Sequence, residues 1–191
     1  MKSLELRLYP DPLLRKKCEP VEELTPEIKE LILAMLATMK AKNGIGLAGP
    51  QVGVLKQIIV IGEIPEVTKA IGLINPRIIK KAKGKELREE GCLSIPGIYE
   101  KVGRPKIIEV SGITSEGKRI VFEAEDLFAR VLQHEVDHLS GILFPDRMNP
   151  FRRIKTYRKY QQKQINNHWT HWEHWKEKNG RGWIYPTRRA W

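Results

Sequence analysis

The segment His134-Glu135-Val136-Asp137-His138 constrains this chain more than any other. Histidines four residues apart share one face on a helix, where positions i and i+4 stack one above the other. Two imidazoles so placed bind one metal ion from one side, and the glutamate beside them reaches a water on that ion. The pattern predicts a helix from about Glu125 to Leu139, ending before Gly141. Leu127, Val131, His134 and His138 are spaced to share one side, so apolar residues lead up to the ligands as the wall of a pocket would. Arg130, Gln133 and Asp137 fall on the opposite side. The competing reading is a surface or core helix that happens to hold two histidines.

A catalytic site of this kind needs a third protein ligand and an open position. The metzincin proteases place a third histidine six residues after the second. Gly141 fits that pattern, but Phe144 stands where the histidine belongs. A nearby glutamate ligand is also missing, since the first Glu after His138 is Glu173. Upstream, Cys92 sits in Glu90-Gly91-Cys92-Leu93-Ser94, and a thiolate is a strong, soft ligand. A lone cysteine is more often a small buried apolar residue. Cys18, with no motif around it, is read that way. Two cysteines make no disulfide framework.

The rest of the chain suits one compact domain of 191 residues. Thr25-Pro26-Glu27 starts a helix that carries Ile28, Leu31, Ile32, Met35, Leu36 and Met39 on one face and stops at Asn43-Gly44. Leu13 to Cys18 reads as a short helix and Gly44 to Gly53 as a glycine-rich loop. Strands are expected at Gln57 to Ile61, in two pieces around Asn75-Pro76, and at Lys106 to Ser111 and Arg119 to Glu123. The expected class is α+β: short, largely antiparallel strands packed around a central metal-binding helix, with a C-terminal basic helix or tail.

Three segments carry a family resemblance. QHEVDHLSG (Gln133 to Gly141), EGCLS (Glu90 to Ser94) and GIGLAGPQ (Gly44 to Gln51) resemble, in order and separation, the three motifs of the peptide deformylases. The likeness covers roughly residues 1–150. It implies a hydrolase that removes the formyl group from the N-terminal methionine of new peptides and releases formate. It further implies Cys92, His134 and His138 as metal ligands, Glu135 as the proton carrier, and Gln51 with the N–H of Leu93 as donors to the developing oxyanion. Ile45, Gly46 and Gly91 would hydrogen-bond the substrate main chain, and Leu127 and Val131 would line the methionine pocket. The implied cofactor is one divalent metal, usually Fe(II), with zinc, nickel or cobalt able to replace it. Gly49 departs from the family, which usually has a second alanine there; a subtle loss of loop rigidity is expected. Two other functions compete: an H-E-x-x-H metallopeptidase of another class, and a ribosome- or RNA-binding protein with an enzyme-like fold.

The net charge of +11 is unevenly placed. Residues 150–191 hold eleven Lys/Arg against two Asp/Glu, leaving the rest of the chain at only +2. A basic extension over residues 151–191 is therefore set apart from a catalytic domain over 1–150. Arg152 to about Asn166 reads as a helix, with Arg152, Arg153, Lys155, Arg158, Lys159 and Lys163 suited to ribosomal RNA phosphates. A solvated tail that aids solubility is the plainer alternative. His-Trp pairs repeat every three residues from His168, and Trp183 and Trp191 follow, without an explanation from the resemblance. Met1 to Asp11 carries charges and prolines, and no apolar run is long enough to cross a bilayer. A cytoplasmic monomer, away from membranes, is the expectation.

Overall fold

The structure, a computed structural model, describes residues 3–179, with side chains through residue 166. A first helix, α1 (Pro26–Ala41), is capped by the Thr25 side chain with Pro26 at its first position. Seven strands follow: β1 (Gly46–Ala48), β2 (Ile58–Ile61), β3 (Ile71–Lys81), β4 (Glu86–Cys92), β5 (Ile95–Arg104), β6 (Ile107–Thr114) and β7 (Arg119–Glu125). They precede α2 (Asp126–His138) and α3 (Pro150–Asn179). Five strands form an antiparallel sheet in the order β1-β2-β3-β6-β7, and β4 and β5 pair as a separate hairpin. The architecture is α+β, as the sequence leads one to expect.

Strand β2 explains how the layers meet. Its four residues, Ile58-Ile59-Val60-Ile61, are all buried, the pattern of a strand covered on both faces. Alternation sends Ile58 and Val60 to the side of α1, where they join Ile32, Met35, Met39 and Leu47. Ile59 and Ile61 go to the other side, with Leu73, Val110, Ala129 and Leu132. The helix α2 is thus pressed against the sheet at the centre of the molecule. A third core joins Ile95, Ile98 and Val102 of β5 to Leu14, Leu143, Phe144 and Tyr160.

Several sequence expectations need correction. The two strand pieces around Asn75-Pro76 are one strand, β3, with a register irregularity there. Asn75 adopts a φ of 51° and exchanges two 2.8 Å side-chain hydrogen bonds with the Val21 backbone, which tethers the N-terminal segment. The glycine-rich loop holds β1 and a 3-10 turn, Gly49–Val52. The helix expected from Leu13 is a 3-10 turn, Pro12–Arg15. The β4–β5 hairpin was not anticipated. Helix α3 begins two residues earlier than expected, capped by the Asn149 side chain on the N–H of Arg152, and continues past Asn166. The side chains of the His-Trp pairs, and Trp183 and Trp191 altogether, lie outside the described residues. No helix among the described residues is long and apolar enough to cross a membrane.

Candidate metal centre

Two elements bring the three candidate ligands together. Helix α2 supplies His134 and His138, and the tip of the β4–β5 hairpin supplies Cys92. A register shift between Gly91 and Cys92 pairs Cys92 with Ile95, so the hairpin turns tightly over Leu93 and Ser94. The tip is driven into the molecule, with Ser94 and Ile95 fully buried. Cys92 Sγ then lies 3.3 Å from His138 Nε2. Donor atoms of Cys92, His134 and His138 all lie within 4.8 Å of one another. A tetrahedral ion with bonds of about 2.0–2.3 Å needs its donors roughly 3.3–3.8 Å apart, so the set fits one metal after small adjustments.

The electrostatics also suit a cation. His134 Nδ1 is 3.2 Å from Glu90 Oε2, which leaves Nε2 for the metal. Burial disfavours a charged His134, but Cys92 and Glu90 outweigh it and hold its pKa well above the ordinary value. Burial, together with the charge of His134, pushes His138 well below its ordinary value. Positive charge is therefore favoured at His134, where a bound metal would take the place of the proton.

Glu90 belongs to a buried ion network that sequence reasoning missed. Arg104 donates to it through Nε and Nη2 at 2.7 and 2.9 Å, and Arg130 through Nη1 at 2.6 Å. Arg104 also reaches Asp137 at 2.8 Å, and Arg147 closes the chain on Asp137. Arg130, Gln133 and Asp137, assigned by spacing to the side away from the ligands, are as buried as the ligands themselves. Helix α2 is enclosed nearly all round, so its polar side is satisfied by ions and carbonyls instead of water. The available signal was Glu90, inside the cysteine motif. Phe144 stacks beside His134 with ring centroids 6.2 Å apart, so an apolar ring fills the space beside this histidine.

A cavity of about 470 Å³ opens onto this centre. It is lined by Ile45, Gly46, Gln51, Gly91, Cys92, Leu93, Leu127, Val131, His134 and Glu135, and His138 Nε2 lies 3.3 Å from Cys92 Sγ without lining the cavity itself. The expected site residues are therefore brought to one place. Gln51 is buried, its Oε1 accepting the Ala48 N–H at 2.8 Å. Its Nε2 is 3.2 Å from Ser94 Oγ and 3.5 Å from Cys92 Sγ, so the amide nitrogen points at the centre. Burial pushes the Glu135 carboxyl up to about 7, against the opposing charges of His134 and Arg104. Its Oε2 is buried and makes no hydrogen bond among the described residues. Gly49 does more than omit a methyl: a β-carbon there would lie 2.7 and 2.8 Å from the carbonyl oxygens of Val54 and Lys56. Alanine at this position would require the loop backbone to shift. Cys18 is buried in the core, away from the centre.

Comparisons with known proteins identify the family. Residues 3–154 match the family model described as polypeptide deformylase. A peptide deformylase of Hydrogenovibrio crunogenus is 48% identical over 162 residues, covering 85% of this chain and 95% of that protein. The crystal structure of a peptide deformylase from Legionella pneumophila superposes with a TM-score of 0.80 at 35% identity, over 87% of this chain and 98% of that one. A Synechococcus elongatus peptide deformylase, solved in complex with actinonin, matches with a TM-score of 0.76 at 43% identity, over 83% and 86% of the two chains. A chain with this fold, this Cys-His-His centre and these relatives belongs to the polypeptide deformylase family.

Proposed function

We propose that Cys92, His134 and His138 hold one divalent metal, Fe(II) in its native form, and that Glu135 carries the proton in the hydrolysis of a formyl amide. As a polypeptide deformylase, the chain is a metal-dependent hydrolase that removes the N-terminal formyl group from nascent peptides. The observation that carries the residue assignment is the convergence of one cysteine sulfur and two imidazoles on one point, beside a cavity that Glu135 also lines. One thiolate and two imidazoles suit a borderline transition metal such as Fe(II), Zn, Ni or Co, and not a hard ion that prefers oxygen. Bound there, the metal supplies the Lewis acidity that brings a water's pKa near neutrality.

The chain's own residues account for the rest. Glu135, raised to about 7, is matched to taking a proton from the attacking water and returning it to the departing amine. Gln51 Nε2 and the Leu93 N–H would face the formyl oxygen as it becomes negative, with Gln51 already oriented by Ala48 and Ser94. Strand β1 is the edge of its sheet, so backbone groups of Gly46 that face away from β2 are available to an extended peptide, with Ile45 beside it and Gly91 also lining the cavity. Val131 and Leu127 give the methionine side chain an apolar wall.

Metal analysis of protein purified without oxygen tests the assignment. About one iron per chain is expected, with the ion lost in Cys92→Ala and kept in Glu135→Ala. Wild-type metal content in Cys92→Ala would overturn it.

The C-terminal helix is the second part of the reading. Arg153, Lys155 and Arg158 are exposed on α3 and suit ribosomal RNA phosphates. Reversing these three charges in the full chain should abolish salt-sensitive co-sedimentation with ribosomes; undiminished binding would count against it.

A further inference from the structure

Helix α3 does more than cover the body. Arg152, Lys159 and Lys163 are spaced seven and four residues apart, which places them on one helical face. That face also buries Thr156 and Tyr160. All three cations are directed at one strand, β5. Arg152 Nη2 lies 3.3 Å and Lys159 Nζ 3.9 Å from the Glu100 carboxylate. Lys163 Nζ donates to the carbonyl of Gly97 at 3.1 Å.

Gly97 is made for this contact. Its φ is +72°, and a β-carbon there would lie 2.0 Å from Lys163 Nζ. The missing side chain thus makes room for the ammonium. The held segment is also the wall of the site: Pro96, Gly97, Ile98 and Tyr99 line the cavity. Tyr99 pairs in register with Gly91, and its ring covers the face of Gly91, where a β-carbon would meet it at 2.6 Å. From Lys163 the path runs through Gly97 and Tyr99 to Gly91, beside the ligand Cys92.

We propose that Lys163 is a positioning residue for the deformylase reaction. It fixes the β5 wall through the Gly97 carbonyl, with the Glu100 pairs as its second support, and so pre-organises the groove that receives the peptide. An isolated surface pair contributes little. Here three contacts restrain one short stretch of strand, and a wall ordered in advance lowers the entropic cost of binding. The effect belongs in substrate binding, because none of the three cations touches the metal ligands or Glu135. This inference rests on the cavity being the formyl-peptide site.

The test is steady-state formate release from formyl-Met-Ala-Ser by full-length, metal-loaded protein, with thermal melts alongside. Lys163→Met should raise KM about threefold, and the double variant Lys163→Met with Glu100→Gln about tenfold, with kcat within about twofold. Lys163→Arg, which keeps a donor and the charge, should retain the wild-type KM. Melting temperatures of the single variants should match wild type. An unchanged KM in the double variant overturns the proposal, as does a loss of kcat that follows a fall in melting temperature. Failure of the wild-type chain to release formate would instead overturn the assignment of the site.

Discussion

Gly46 lies directly against the side chain of Glu135. A β-carbon at residue 46 would fall 2.4 Å from Glu135 Oε1 and 2.8 Å from its carboxyl carbon. The edge strand β1 therefore comes close enough to fix the carboxylate, and only glycine allows it. Gly46→Ala should push Glu135 out of line with the metal centre while leaving the ligands in place. Misplacement of a reacting group by about 1 Å can cost on the order of 10²-fold, so kcat should fall by about that factor with metal content unchanged. Steady-state kinetics with metal analysis checks this.

The ion network behind the centre should matter for stability as well as chemistry. Arg104 bridges Glu90 on β4 and Asp137 on α2, and it is almost fully buried. Arg104→Met leaves two buried carboxylates short of a partner, which typically costs about 3–5 kcal/mol. Arg130 and Arg147 remain on the same carboxylates, so the lower end is expected. Chemical denaturation of the metal-loaded protein measures the loss.

Acid should weaken the same network in a defined window. Burial opposes ionisation of Glu90, but His134 and Arg104 outweigh it and hold its pKa at about 2, against an ordinary 4.5. Its stabilising contribution is complete above pH 4.5 and is lost as the pH falls toward 2. Glu90→Gln should be less stable than wild type near neutrality, and the gap should narrow across this window. A gap independent of pH would contradict the ionised role.

The two cysteines should differ sharply in reactivity. Burial pushes the Cys18 thiol up to about 11, and it sits in the core. Cys92 lines the cavity. Iodoacetamide at neutral pH should label Cys92 in metal-stripped protein, reloading metal should protect it, and Cys18 should stay unlabelled until unfolding. Mass spectrometry of the two peptides reads this out.

Much of the site was legible in the sequence because its chemistry is local. His134 and His138 are related by helical spacing alone, and Gly44 to Gln51 and Glu90 to Ser94 are contiguous. What brings the segments together was less visible. The β4–β5 hairpin was missed because only its buried face shows the strand pattern, through Ile95, Ile98 and Val102. Its other face carries Leu87, Glu89, Tyr99 and Lys101 around glycines, which blurs the alternation. Arg130 and Asp137 looked like a solvent face because periodicity reports polarity, and polarity does not distinguish water from a buried counter-ion. The six basic residues from Arg152 to Lys163 divide in a way that no charge count reveals: Arg152, Lys159 and Lys163 turn toward β5, and Arg153, Lys155 and Arg158 toward solvent.

The most direct test is a paired measurement on metal-loaded wild type and Glu135→Gln, following formate released from formyl-Met-Ala-Ser against metal bound. The wild type should release formate at about one metal per chain, and Glu135→Gln should bind the same metal and lose turnover by on the order of 10³-fold or more. Wild-type turnover in Glu135→Gln, or a fully loaded wild type that releases no formate, would contradict the account.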